Sequence, residues 1–223
     1  MEEARILAQA MVDIGKGAGR CVAACITDMD QPLGRCVGNA LEVKEAISVL
    51  KGETRGDLLE LCLTLGSCIL TAGGIAPDNA AARAMLQKAL DDGSALRKLG
   101  DLVEGQGGDR HDVADTSRLP AAPVVLEVKS PESGWVKHIE ADEVGLVSMH
   151  LGGGRVTKES VIDLSVGVIL RKKVGEQVSR GEVIAEIHAA DAASAAKAAE
   201  SLIRCYEFSA VPVAQPKLIK DII

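Results

Sequence analysis

Aromatic side chains are nearly missing from this sequence of 223 residues, which has one tryptophan, one tyrosine and one phenylalanine, at Trp135, Tyr206 and Phe208. Proteins that bind single-stranded nucleic acid stack its bases on aromatic faces. The formal net charge of −7 also opposes binding to a phosphate backbone, because that contact needs clustered Lys and Arg. We therefore expect no nucleic-acid partner, and a core built from Ala, Val, Leu and Ile.

Paired-cysteine motifs and membrane-spanning runs are missing as well. The six cysteines form no CxxC motif and lie at no metal-ligand spacing from a histidine. We expect buried free thiols in a reducing cytoplasm, with Cys21 and Cys25 on a buried strand and Cys62 and Cys68 on an apolar helix. No apolar run reaches the ~20 residues of a membrane helix, and the acidic N-terminus is unlike a signal peptide, so we expect no membrane association.

The first part of the chain combines helical patterns with one apolar strand. Residues 21–26 are apolar on both faces, which is typical of a buried strand in a parallel sheet. Apolar periodicity, caps and terminating glycines predict helices over residues 3–17, 40–50, 54–72, 77–90 and 94–104. The sequence therefore predicts a partial mixed α/β domain with flanking helices, whose single strand has no neighbour on the sheet.

The second part of the chain reads as a separate, β-rich domain with helical inserts. Residues 105–122 are dominated by Gly, Asp, Pro and Ser, as in a linker. Short alternating runs then predict strands over residues 123–129, 134–139, 144–150, 166–171, 183–188 and 207–213, with a helix over 192–205. We expect an α/β domain at residues 1–110, a linker at 111–122 and an α+β domain at 123–223.

The loop between the first strand and the helix at residue 40 holds the candidate ligand residues. It leaves the carboxyl end of its strand, where open α/β sheets bind ligands. Leu33 and Cys36 lie in a Pro-Leu-Gly turn that can aim two backbone carbonyls at one point, and Glu45 on the next helix can reach back. An all-oxygen set of this kind suits a hard cation, and a surface glutamate beside Lys44 is the alternative.

No catalytic constellation is indicated by spacing. Asp28 and Asp30 have no histidine or lysine partner nearby in sequence, which favours solvated loop carboxylates over a general acid and base. The four histidines fall in separate segments, so we expect them to be surface or strand residues rather than catalytic ones. Residues 174–187 resemble the barrel-sandwich hybrid of biotinyl and lipoyl carriers, but Ala189-Ala190-Asp191 offers no lysine to acylate.

Several segments, in their order along the chain, resemble pyrimidine-nucleoside and thymidine phosphorylases. They are residues 7–15, the nineteen residues 27–45, Gln-Gly-Gly-Asp at 106–109, Asp-Leu-Ser-Val-Gly at 163–167, and residues 174–187. The resemblance covers essentially the whole chain, and the 27–45 segment is its most specific part. It implies cleavage of a nucleoside by phosphate to a free base and a pentose 1-phosphate. It also implies an α/β domain followed by a C-terminal α/β hammerhead domain.

The resemblance also implies which functional residues belong to this chain. The family's Gly-rich phosphate loop and its Arg/Ser/Lys base-binding group match nothing in the sequence, so we expect no catalytic and no substrate-binding residue here, and no activity of the chain alone. Bacterial members bind potassium, and the matching ligands are the carbonyls of Leu33 and Cys36 and the carboxylate of Glu45. The other potassium ligands would come from the missing loop. No organic cofactor is implied.

The partners implied by the resemblance are small molecules and protein chains. A pyrimidine nucleoside and phosphate bind the complete enzyme, and the family forms homodimers. Exposed apolar helix faces and an unpaired strand would favour association of this chain. Two alternatives stay open: one subunit of a split phosphorylase, completed by an N-terminal half in trans, or a non-catalytic interaction module.

Overall fold

The computed structural model describes residues 1–223 as a mixture of helices and short sheets. The helices are α1 (Glu2–Gly17), α2 (Asn39–Leu50), α3 (Asp57–Ala72), α4 (Asn79–Asp91), α5 (Ser94–Gly105), α6 (His111–Ala114), α7 (Ala141–Ser148) and α8 (Ala192–Arg204). The strands are β1 (Cys25–Thr27), β2 (Cys36–Val37), β3 (Val124–Lys129), β4 (Gly134–Ile139), β5 (Gly167–Leu170), β6 (Gln177–Val178), β7 (Val183–Ala189), β8 (Tyr206–Ser209) and β9 (Ile219–Ile222). The predicted combination of helices and sheet is confirmed, and the hammerhead arrangement stays a prediction.

The chain divides into two compact units. Unit 1 comprises Met1–Asp28, Val49–Lys98 and Lys217–Ile223, and unit 2 comprises Met29–Ser48 and Leu99–Pro216. The sequence-based division at residues 110 and 123 stays a prediction. None of the helices in either unit is both long and apolar enough to cross a membrane.

Unit 1 contains a two-stranded sheet that the sequence did not predict. β1 pairs antiparallel with β9, with Cys25 opposite Ile222. The prediction of a buried parallel strand over residues 21–26 is wrong, because the strand covers Cys25–Thr27 and is only half-buried. The prediction that this strand has no partner is also wrong. Its partner reads Ile-Lys-Asp-Ile, which is too short and too polar to predict a strand from the sequence.

The helices of unit 1 follow their predicted positions closely. Asp78 caps α4, and its carboxylate accepts a hydrogen bond from the Ala81 N–H at 2.8 Å. α4 packs against α3, and the guanidinium of Arg83 on α4 reaches the Glu60 carboxylate on α3 at 2.5 Å. Cap and periodicity thus predicted these two helices correctly.

Unit 2 is built on two antiparallel sheets and one apolar core. The larger sheet has the order β2-β5-β7-β3 and the smaller sheet the order β6-β4-β8. Residues 192–205 were predicted to be a helix and form α8. The core side chains that are fully shielded from solvent come from both sheets and from α7 and α8, and include Val136, Ile139, Val144, Ile187 and Leu202.

One predicted strand of unit 2 is a helix. Residues 144–150 were predicted to be a strand, but α7 covers Ala141–Ser148 and continues into a π-helical turn at Met149–Gly153. The buried positions Val144, Val147 and Leu151 follow helical spacing. Acidic residues in the first turn of α7 favour a helix through its dipole. The β-branched composition therefore indicated the wrong structure.

The cysteines are free, but most are not buried. Cys21 and Cys62 are exposed, so the prediction that they are buried is wrong. Cys25 and Cys68 are half-buried, and Cys205 in unit 2 is buried. In α3 the neighbouring Leu63 is buried while Cys62 faces outward, so the apolar run around Cys62 does not show which of its residues are buried.

Candidate functional site

The candidate ligand Glu45 turns back from α2 onto the loop that precedes β2. Its Oε1 accepts a hydrogen bond from the Arg35 N–H at 2.8 Å, and its Oε2 accepts one from the Cys36 N–H at 3.0 Å. These are charge-assisted bonds between a carboxylate and two successive backbone donors. Glu45 therefore fixes the end of the loop that carries the other two candidate ligands.

A glycine lets the Glu45 carboxylate approach the loop this closely. Gly34 is buried with φ of +68°, and a Cβ built on it would lie 2.6 Å from Oε2 of Glu45. A side chain at this position would both strain the backbone and push the carboxylate away. The third position of the Pro-Leu-Gly turn therefore requires glycine for steric reasons.

A buried lysine, Lys173, binds the same loop from the other side. Its Nζ donates hydrogen bonds to the carbonyl oxygens of Pro32 and Gly34, the second at 2.7 Å. Lys173 is only 8% exposed, although it follows a short strand in a charged segment. The neighbouring Val174 N–H donates to the side-chain carbonyl of Gln31 at 3.0 Å.

Arg35 completes the attachment of the loop to the segment after β5. Its guanidinium donates to the Arg171 carbonyl at 2.9 Å and to Oε1 of Glu176 at 2.8 Å. The other oxygen of Glu176 accepts the Lys173 N–H at 2.8 Å. Arg35 and Lys173 therefore anchor the two flanks of the loop, and Glu176 links their positions.

The thiol of Cys36 lies in the same environment and is unreactive. Its burial, together with the nearby Glu45 carboxylate, raises the pKa of the Cys36 thiol to about 12. A thiol needs its thiolate form to act as a nucleophile or a metal ligand. Cys36 can therefore contribute only its backbone carbonyl to a site.

The structure places the three predicted ligand residues in one loop and the helix that follows it. Leu33 lies between the two residues whose carbonyls bind Lys173, and its side chain is 40% exposed. No group of three or more His, Cys, Asp or Glu side chains is placed to hold a metal ion. A cation in this loop would therefore be held by backbone carbonyls and one carboxylate, which excludes a zinc-type site.

Sequence reasoning missed Lys173, Arg35 and Gln31. Lys173 and Arg35 are 138 positions apart in the printed sequence, and no local pattern connects them. The interpretation of Asp28 as a solvated carboxylate is wrong. Its side chain is 6% exposed and forms an ion pair with Lys220 at 2.8 Å, which the unpredicted strand β9 brings to it.

Comparisons with known proteins find matches along most of the chain. Residues 1–96 match the family model described as the a/b domain of the glycosyl transferase family, and residues 135–209 match the pyrimidine nucleoside phosphorylase C-terminal domain. The chain is 48% identical over 221 residues to a pyrimidine-nucleoside phosphorylase of Geobacillus stearothermophilus, covering 99% of this chain and 51% of that protein. The corresponding protein of Bacillus subtilis is 50% identical over 188 residues, covering 84% of this chain and 43% of the relative. The chain thus spans about half the length of these relatives.

Proposed function

The chain belongs to the pyrimidine-nucleoside phosphorylase family, and we propose that it takes part in the phosphate-dependent cleavage of pyrimidine nucleosides. In this reaction the bond between the base nitrogen and the pentose breaks, and a phosphate oxygen forms the new bond to the pentose carbon. The products are a free base and a pentose 1-phosphate. The proposal is supported above all by the match of 99% of this chain to a protein of that name.

Within this reaction, the residues of the chain support the site rather than perform the chemistry. In the loop described above, the thiol of Cys36 is held protonated, and the ammonium of Lys173 is engaged with backbone carbonyls. Orienting phosphate and stabilising an oxocarbenium-like transition state both require positioned charged donors. We assign those donors to residues outside these 223, either in the same polypeptide or in a separate subunit.

We propose potassium as the cofactor that this loop would hold. The carbonyls of Leu33 and Cys36 and the carboxylate of Glu45 would hold it, with no organic cofactor. The donors are oxygens only, as hard cations require. Two other carbonyls of the same loop already bind the ammonium of Lys173, and this supports the view that the loop suits monovalent cations. Bound potassium would supply a fixed positive charge near the phosphate.

Association with a second copy of the chain is a further part of the proposal. The apolar side chains of Leu7, Met11 and Ile14 on α1 are 63%, 61% and 74% exposed. They recur at helical spacing and therefore share one face. A helix face of this kind is typical of an interface, which supports the homodimer of the phosphorylase family.

The proposed reaction is tested by joining this chain to the part of a relative that it does not match. The chain would replace the matching region of the Geobacillus stearothermophilus protein in a fusion, and the chain alone would be measured beside it. We expect the fusion to release base from thymidine or uridine only when phosphate is present. The chain alone should release none, and the separately produced N-terminal part should restore activity if it associates in trans.

The controls separate the alternatives. Glu45→Gln in the fusion keeps the shape of the side chain and removes its charge, so we expect a higher potassium requirement with the fold retained. Cys36→Ala keeps the carbonyl and should change little. A folded fusion without activity would contradict the proposed reaction and favour a non-catalytic interaction module. Phosphorolysis by the pure chain alone would contradict the assignment of the catalytic donors to other residues.

A further inference from the structure

Lys173 is a charged residue that lies buried in the structure, with 8% of its surface exposed. An ammonium group removed from water destabilises a protein unless it is paired and hydrogen-bonded. Here it is bound by the carbonyls of Pro32 and Gly34, on the loop that also holds the proposed potassium ligands. The ammonium therefore stabilises the conformation of this loop.

One peptide unit of the loop is held at both ends by opposite charges. The oxygen of the peptide between Gly34 and Arg35 accepts from Lys173 at 2.7 Å, and its N–H donates to Glu45 at 2.8 Å. A peptide unit is planar and rigid, so fixing both of its polar ends fixes its plane. The ammonium and the carboxylate polarise the peptide in the same sense, which strengthens both hydrogen bonds.

The carbonyl of Leu33 lies between two groups that Lys173 holds. The peptide that carries this carbonyl is flanked by the peptides of the Pro32 and Gly34 carbonyls, and both of those bind the ammonium. The Cys36 N–H on the far side is held by Glu45. The hydrogen bonds of Lys173 and Glu45 thus restrain the backbone that would present the Leu33 and Cys36 carbonyls to an ion.

We propose that Lys173 is a positioning residue for the loop of Leu33 and Cys36, where its ammonium fixes residues 32–35 in the conformation that presents the Leu33 and Cys36 carbonyls to potassium. This inference rests on the potassium site of the proposed function and extends it to a residue outside the ligand set. Lys173 contacts neither substrate nor ion in this role. Its effect on the ion passes through the peptide shared with Glu45.

The first test measures the loop itself in the full 223-residue chain without potassium. In Lys173→Met the side chain keeps much of its length and loses its charge. We expect the Arg35 and Cys36 amides to exchange with solvent about tenfold faster, because the shared peptide loses a charged hydrogen-bond partner. The matched control is Lys172→Met, since that ammonium binds the Gln177 carbonyl at 2.8 Å and Glu182 at 2.7 Å instead of the loop. The control should leave both amides unchanged.

The second test uses potassium chloride as the probe in the active fusion. Lys173→Met should raise the potassium concentration for half-maximal activity about tenfold while leaving kcat at saturating potassium nearly unchanged, and Lys173→Arg should restore the response. A role in overall stability alone would not separate these two quantities. If Lys173→Met does not fold, the neutral and shorter Lys173→Gln takes its place, with the same expected direction.

The outcomes distinguish this inference from the proposed function. A wild-type fusion that is active without responding to potassium would overturn the potassium site, and with it the positioning role. A wild-type fusion that responds to potassium, with an unchanged response and unchanged amide exchange in a folded Lys173→Met variant, would overturn the role of Lys173 alone. Faster exchange together with a shifted potassium response supports it.

Discussion

The two units bury their apolar residues in opposite ways. In unit 2, Ile187 from β7 and Leu202 from α8 are fully buried in one core that both sheets share. In unit 1, α1 buries Ala8 and Val12 but leaves Leu7, Met11 and Ile14 mostly exposed. Burial of apolar surface is the main driving force of folding, at roughly 25 cal/mol per Å². Unit 2 therefore supplies its own stability, whereas unit 1 presents apolar helix faces that its own core does not use.

A matched pair of isoleucines tests this difference with the largest expected effect. Ile187 is fully buried in unit 2, and Ile69 on α3 of unit 1 is 70% exposed. We expect Ile187→Ala to lower the free energy of unfolding by about 2–5 kcal/mol, because it removes buried methyl groups and leaves a cavity. Ile69→Ala should change it by less than about 0.5 kcal/mol. Urea denaturation followed by the fluorescence of Trp135, which lies in unit 2, and by helical circular dichroism measures both.

The exposed member of the pair also reports on association. A loss of more than about 1 kcal/mol in Ile69→Ala would show that another chain covers this face in solution, since an exposed side chain contributes little. That loss should then grow with protein concentration, because the stability of an associating chain depends on mass action. Such a result would place Ile69 within the proposed interface between copies of the chain.

Local signals predicted most helices correctly and failed where packing decides. Asp78 and Asp191 both accept an N–H from the third residue of the helix they cap, and both helix starts were readable from the sequence. Residues 144–150 have β-branched side chains at positions that also fit a helix, and packing against α8 makes them helical. β9 could not be predicted, because its pairing with β1 joins opposite ends of the sequence.

The candidate site was predictable only in part. The resemblance to phosphorylases indicated Glu45, and the structure brings its carboxylate to the loop of Leu33 and Cys36. Lys173 was not predicted, since a lysine in a charged segment is usually solvated. Its burial depends on contact with a loop about 140 residues earlier in the chain, which no periodicity encodes. Whether the loop binds potassium stays a prediction.

Two glycines with positive φ, one in each unit, extend the comparison of the two units to single turns. Gly34 in unit 2 has φ of +68° and its added Cβ would meet Glu45, whereas Gly52 in unit 1 has φ of +75° and open space around it. Gly52→Ala should destabilise the protein by about 1 kcal/mol through backbone strain alone. Gly34→Ala should cost roughly 1.5–3 kcal/mol more, because the displaced carboxylate loses its charged hydrogen bonds to the loop. Thermal and urea unfolding of the two variants measure the difference.

The double variant isolates the contact with Glu45. In a Glu45→Ala background the steric conflict is gone, so Gly34→Ala should then cost about as much as Gly52→Ala does. Equal costs of the two glycine substitutions in the wild-type background would contradict the close approach of Glu45 to the loop. In the active fusion, Gly34→Ala should also weaken the response to potassium, and Gly52→Ala should not.

The smallest expected effect is on the pH dependence of stability, and it arises in unit 2 alone. All four histidines lie in unit 2, and the side chain of His188 on β7 is 16% exposed, with its Nε2 buried without a hydrogen-bond partner. Burial lowers the pKa of His188, with Lys44 and Arg171 acting in the same direction and Glu186, 4.0 Å away, opposing them. The folded state therefore binds this proton less readily than the unfolded state.

The sign of the acid effect follows from that difference in proton binding. The contribution of neutral His188 to stability is fully present above the unfolded pKa of about 6.5 and is lost as the pH falls below that value towards the lowered folded pKa. His188→Gln should flatten the fall of the urea midpoint between about pH 7 and pH 5, as read from Trp135 fluorescence. His150→Gln, at an exposed position of the same unit, should not. An equal acid response of wild type and His188→Gln would show that the buried imidazole finds a partner on protonation, and Glu186 is the group placed to provide it.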